Sequence, residues 1–297
     1  MHKAQPEIVF HLAAQPLVRL SYAEPVDTFM TNVMGTVNVL ESARSVSPVR
    51  AIVVITSDKC YENPEWVWAC RETDPMGGHD PYSASKGCTE LVTSSYRRSF
   101  YAAGNGGKRV GIGTARAGNV IGGGDWALDR LIPDAVRAIE QGKPVSIRNP
   151  DAVRPWQHVL EPLSGYIRLA QALWDDPIKH AEGWNFGPQD RDALPVRDVV
   201  DRFCRQIGRG ASWQHEPVAN APHEAHLLRL DIAKARALLG WEPRWSLAEG
   251  LEKTADWYGA FLDGSNMPAI TRAQIAAFQS AQGGGTPMTV KSAVVGS

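Results

Sequence analysis

Residues 7–13, EIVFHLA, and 50–57, RAIVVITS, are short apolar runs, the second rich in β-branched side chains. Between them, DTFMTNVMGTVNVLESARS (27–45) carries apolar residues at helical spacing. A third run, RVGIGTARAGNV (109–120), follows a helical stretch from Pro81 to Tyr101 and the turn GNGGK (104–108). Strand, helix, strand, helix, strand at these lengths means βαβ units and a parallel sheet. The strands are continuously apolar rather than alternating, which fits a sheet covered on both faces. The class is therefore α/β.

Past Ile121 the rhythm changes. Gly and Pro become denser, KPVSIRNP (143–150) and GWNFGP (183–188) are isolated strand-like pieces, and VLEPLSGYIRLAQALW (159–174) is an amphipathic helix. PVRDVVDRFCRQIG (195–208) and DIAKARALLG (231–240) are further helices, the second stopped by Gly240. These features predict a first domain over 1–120 and a smaller second domain over 121–278, with segments that return to the first. A disordered tail over 279–297 is expected.

With 297 residues, 43% hydrophobic and 21% charged, the chain can bury the core of one or two globular domains. A net charge of −1 without a basic cluster argues against nucleic acid as a partner. No apolar run reaches membrane-spanning length, and MHKAQPEIVF lacks the apolar core of a signal peptide. Cys60, Cys70, Cys88 and Cys204 have no metal-ligand spacing and read as reduced thiols of a cytoplasmic protein. His223 and His226 read as a surface pair, so no metal is expected.

DPYSASKG (80–87) places Tyr82 and Lys86 four positions apart behind a helix start, with Asp80 suited to the N-cap and Pro81 to the first helical position. Both side chains then share one face, where a helix N-terminus and an ammonium favour the tyrosinate. On spacing alone, two ordinary side chains on one helix face are the favoured reading. Ligands of an open parallel sheet collect beyond the carboxyl ends of its strands. His11 to Ala14, Thr56 to Lys59 and Arg116 to Asn119 all fall there, beside Tyr82.

HLAAQ, TSDKCYEN, DPYSASKG, RAGNVIGGGDW, RLIPD and RPWQHVLEPLSGY together resemble the extended short-chain dehydrogenase/reductase superfamily. Within it they resemble the CDP-glucose 4,6-dehydratase family most closely, from Pro6 to Phe261. The resemblance implies tightly held NAD and a CDP-glucose substrate. It implies oxidation at C4, loss of water across C5 and C6, and hydride return to C6, as a step toward surface-sugar synthesis. Tyr82 would take the C4 hydroxyl proton, Ser57 would share a hydrogen bond with that hydroxyl, and Lys86 would bond the nicotinamide ribose.

Asp58 would be the acid for the leaving C6 hydroxyl and Lys59 the base for C5. As a bare dipeptide, Asp58–Lys59 reads first as a loop salt bridge, and beside Tyr82 and Lys86 the catalytic reading becomes the better one. The related dTDP-glucose enzymes carry Asp–Glu there, while epimerases and decarboxylases lack such a pair. Further cofactor contacts are implied at Ala13, Ala14 and Arg116, and substrate contacts at Asn119 and Arg154, the latter gripping the diphosphate. GGGD (122–125) opens no helix of the required spacing and reads as a turn. A homodimer through the helices containing Asn32 and Tyr82 is also implied.

EIVFHLAA corresponds to the fourth strand of that family. The glycine-rich turn and three strands before it, roughly 70 to 90 residues, are therefore expected to be missing. The expected Rossmann-type sheet is thus incomplete, and the chain is read as a truncated or misassigned start of a complete enzyme. Competing readings are a catalytically dead nucleotide-sugar-binding or dimerisation module, and another superfamily enzyme such as a sugar 4-epimerase.

Overall fold

The computed structural model describes residues 1–101, 109–217 and 225–281. In chain order it contains β1 (Ile8–His11), α1 (Val18–Ala23) and α2 (Pro25–Phe29), which runs through a π turn, Met30–Met34, into α3 (Gly35–Arg44). There follow β2 (Ala51–Ile55), α4 (Pro81–Tyr96) with a closing π turn to Tyr101, β3 (Gly111–Ala117), β4 (Asn119–Ile121) and α5 (Leu131–Glu140). Next come β5 (Val145–Ile147), β6 (Val153–His158), α6 (Leu160–Asp175), β7 (Gly183–Phe186) and β8 (Ala193–Pro195). The chain continues through α7 (Val196–Ile207), β9 (Trp213–His215), α8 (Leu247–Leu262) and α9 (Met267–Ser280).

β1, β2, β3 and β7 form one parallel sheet in that order, with Ile8 opposite Ala51, Ala51 opposite Gly111, and Thr114 opposite Gly183. Alternation along β2 explains its unbroken apolar sequence. Ala51 and Val53 face α6 and pack with Leu169, Leu173, Trp184 and Phe186, whereas Ile52 and Val54 meet Leu40, Val49 and Ile112 on the α3 side. The GWNFGP segment thus belongs to the first sheet, as the returning part of the chain. Among the described residues β1 pairs only with β2, and Ile8, Phe10 and Leu12 beside its open edge are exposed.

The second unit is built on β4, β6 and β8, with β5 and β9 paired separately. Its core gathers Ile121, Ile132, Val136, Trp156, Phe203, Leu251 and Tyr258. GGGD is a turn, as expected. A Cβ at Gly123 would stand 2.0 Å from the Trp257 ring, so only glycine lets that turn approach α8. α9 continues through Gln279 and Ser280, two positions into the expected tail, because its last turn docks Phe278 against Trp245. Residues 282–297 of that tail, the GNGGK turn and His223 lie outside the described residues.

Candidate active site

β2 ends at Ile55, and the chain turns at Ser57 into a short 3₁₀ segment, Asp58–Cys60. Ser57 caps that turn, its Oγ accepting from the Lys59 N–H at 3.2 Å while its hydroxyl donates to Asp58 Oδ1 at 2.9 Å. This break from strand geometry lets three successive residues line one space. Opposite them, α4 begins as its sequence dictates. Asp80 Oδ1 accepts from the Ser83 N–H at 2.9 Å, Pro81 fills the first helical position, and the Tyr82 N–H donates to Ser21 Oγ at 3.1 Å.

Ser57, Asp58, Lys59, Tyr82, Asn119 and Arg154 line a single cavity of about 960 Å³. That is large enough for a nucleotide sugar. Lys86 lies just behind its wall, with Nζ donating at 3.2 Å to the carbonyl of Ile55, a cavity residue. Five elements of the first sheet and the second unit therefore supply one site.

Burial governs its electrostatics. Tyr82 is buried, and desolvation pushes its phenol up to about 12, although the Ser57 hydroxyl draws it back toward ionisation. The sequence pattern favoured a lowered value, but the Lys86 ammonium is turned to the Ile55 carbonyl and burial prevails. The same burial lowers Lys86 to about 8. Asp58 is pushed above the ordinary carboxylate range by desolvation, against the opposing pull of Lys59, Ser57 and Arg154. Its Oδ2 is buried without a hydrogen-bond partner among the described residues.

Three sequence-predicted contacts lie elsewhere. Ala13 and Ala14 follow β1 on the same rim but do not line the cavity. Arg116 does not reach it either. Its Nε and Nη2 each donate to Glu90 at 2.8 Å, and Nη1 donates to the Tyr61 hydroxyl at 2.6 Å and the Glu72 carbonyl at 3.3 Å. A Cβ at Gly183 would stand 2.4 Å from Arg116 Nη2, so the neighbouring strand is bare where the guanidinium lies. Arg116 thus forms a buried ion pair that ties α4 to β3.

Several groups escaped the sequence reading. Arg19, Arg130 and Arg148 also line the cavity, Arg19 and Arg148 held at 3.3 and 3.1 Å by Asp129. Tyr166 lines it too, and its phenol is raised by burial and by the proximity of Tyr82 and Asp58. Its helical apolar spacing hid it among core residues. Gln15 ties the loop after β1 to the helices, its N–H donating to Asn32 Oδ1 at 2.8 Å while Asn32 Nδ2 donates to Ser85 Oγ at 2.8 Å.

Residues 1–254 match the family described as GDP-mannose 4,6 dehydratase. The chain is 55% identical over 278 residues to the CDP-glucose 4,6-dehydratase of Salmonella typhimurium, a match covering 93% of this chain and 77% of that protein. It is 28% identical to the dTDP-glucose 4,6-dehydratase of Streptomyces antibioticus, over 86% of this chain and 71% of that one. Among solved structures, a dTDP-glucose 4,6-dehydratase of Streptomyces venezuelae, determined with NAD bound, superposes with a TM-score of 0.73 at 24% identity. That superposition covers 87% of this chain and 75% of the other, and carries the fold alone.

Proposed function

This chain belongs to the GDP-mannose 4,6 dehydratase family, and we propose that within it the substrate is CDP-glucose and the product CDP-4-keto-6-deoxyglucose. The observation that carries the reading is the meeting of Tyr82 and Lys86 with Ser57, Asp58 and Lys59 about one cavity.

The residues present fit the nicotinamide-ribose end of NAD. Lys86 is a buried ammonium whose burial drives it toward neutrality, and ribose hydroxyls would supply the acceptors it needs. When bound there, NAD supplies the hydride acceptor and later the donor.

In the proposed reaction Tyr82, as its phenolate, takes the proton of the C4 hydroxyl, which Ser57 orients, as hydride leaves C4. The C4 ketone acidifies the C5 proton, which the Lys59 amine removes. Asp58, whose burial favours its protonated form, gives its proton to the departing C6 hydroxyl, so one water leaves. Hydride then reaches C6 and a proton returns to C5. Asn119 and Arg154, both lining the cavity, would hold the sugar and diphosphate.

Two further readings accompany it. Tyr22, Val26, Met30, Met34 and Leu91 leave exposed apolar side chains on the helices around Asn32 and Tyr82, which supports a homodimer through that face. Among the described residues no helix is long and apolar enough to cross a membrane, and the four cysteines are free thiols, which supports a cytoplasmic location.

Incubating the protein with CDP-glucose and excess NAD tests the activity. A 4-keto-6-deoxy product without net NADH is expected. A C4 epimer, stoichiometric NADH or unchanged substrate contradicts it.

A further inference from the structure

We infer that Glu216 accepts a hydrogen bond from the exocyclic 4-amino group of cytosine and so sets nucleotide selectivity, an inference that rests on the substrate proposed above. A nucleoside diphospho-sugar is a linear molecule. With its sugar against Tyr82 and Ser57 and its diphosphate among the cavity arginines, its base must meet a wall that the first sheet does not supply. Ser146 of β5, Arg148 and Asn149 just after it, and Glu216 just after β9 make such a wall.

The acidic groups of the cavity differ in their partners. Asp125 lies 3.7 Å from Arg130, Asp129 pairs with Arg19 and Arg148, and Asp134 pairs with Arg137. Asp58, beside Tyr82, accepts from the Ser57 hydroxyl, and Glu216 likewise accepts from a neutral group, the Ser146 hydroxyl. A carboxylate has about four lone-pair sites, so this bond leaves capacity for another donor. The residue is also fixed in place. Its N–H donates to the Ile147 carbonyl at 2.9 Å, extending the β5–β9 ladder, and Ser146 orients its side chain.

At this position the pyrimidines differ in sign. Cytosine presents an amine that donates, whereas uracil and thymine present a carbonyl oxygen that a carboxylate repels. Glu216 therefore both attracts the CDP-sugar and rejects UDP- and dTDP-sugars.

The test is calorimetric titration of the full chain and of Glu216→Gln with CDP, UDP and inorganic pyrophosphate. The unsubstituted chain is expected to bind CDP about tenfold or more tighter than UDP, within the range a good base contact provides. Glu216→Gln, whose amide can donate as well as accept, should bring the two within about threefold, with pyrophosphate affinity unchanged. A CDP preference that survives in Glu216→Gln overturns this inference and leaves the substrate reading standing. UDP bound as tightly as CDP by the unsubstituted chain overturns both. Equal loss of CDP, UDP and pyrophosphate affinity in the variant also overturns the inference, because it marks a general disruption rather than base reading.

Discussion

The Ser57 hydroxyl donates to Asp58 Oδ1 at 2.9 Å, while Asp58 Oδ2 is buried with no partner among the described residues. A carboxylate so placed is far costlier than a carboxylic acid, because burial penalises a net charge much more than a neutral polar group. Desolvation accordingly raises Asp58 despite Lys59 and Arg154 nearby. Asp58→Asn keeps the acceptor for Ser57 and removes the proton. Turnover should fall about 10² to 10⁴-fold, the usual worth of a general acid, while oxidation at C4 persists. Steady-state product formation beside a single-turnover absorbance measurement checks this.

Lys59→Ala should uncouple the two halves of the reaction from the other side. Oxidation depends on Tyr82, so NADH absorbance should build up in a single turnover. Elimination should slow by a general-base factor of about 10² to 10⁴. Equal loss of both steps would mark Lys59 as a structural residue of the loop.

Lys86→Met should make the protein more stable at neutral pH while abolishing oxidation at C4. The folded value of about 8 lies below the ordinary 10.5, so the lysine weakens the fold wherever it is charged. Its penalty is absent above the unfolded value, grows as pH falls from 10.5 to 8, and is complete below 8. At neutral pH the gain on substitution is of order 3 kcal/mol, from the size of that shift. Urea unfolding of both proteins between pH 7 and about pH 10 should show the gap narrowing as pH rises.

Breaking the Arg116–Glu90 pair should lower stability without altering the cavity. Glu90 is held below the ordinary carboxylate range chiefly by Arg116, against the opposing effect of its burial. Glu90→Gln leaves a buried guanidinium short of countercharge and should cost about 3 to 5 kcal/mol. Glu90→Leu combined with Arg116→Met should recover most of that loss, since apolar replacement of a buried pair is often nearly neutral. If CDP-glucose or NAD binding by the double variant collapsed while its stability held, Arg116 would be a ligand contact after all.

Local chemistry made the α4 start readable, because Asp80, Pro81, Tyr82 and Lys86 declare cap, first turn and shared face within seven residues. β2 was readable because both of its faces are covered, so every position is apolar. Pairing was not readable in the same way. GWNFGP looks like a strand, but only the contact of Gly183 with Thr114, far back in the chain, assigns it to the first sheet. The direction of the Arg116 side chain was hidden for a related reason. Thr114 and Arg116 share one face of β3 and both bond Glu90, while Ala115 and Ala117 take the face toward α6. Period-two alternation separates those faces, yet nothing in the run itself says which one meets the ligand. The Tyr82 ionisation was misjudged because desolvation depends on enclosure, which spacing along a helix does not encode.

The central claim is that one cavity oxidises C4, eliminates water and returns the same hydride to C6. CDP-glucose carrying deuterium at C4 tests it directly, with product analysed by NMR and mass spectrometry. The account predicts a 4-keto-6-deoxy product with the deuterium retained in its C6 methyl group. Deuterium lost to solvent, or found still at C4 of an epimerised sugar, would contradict it.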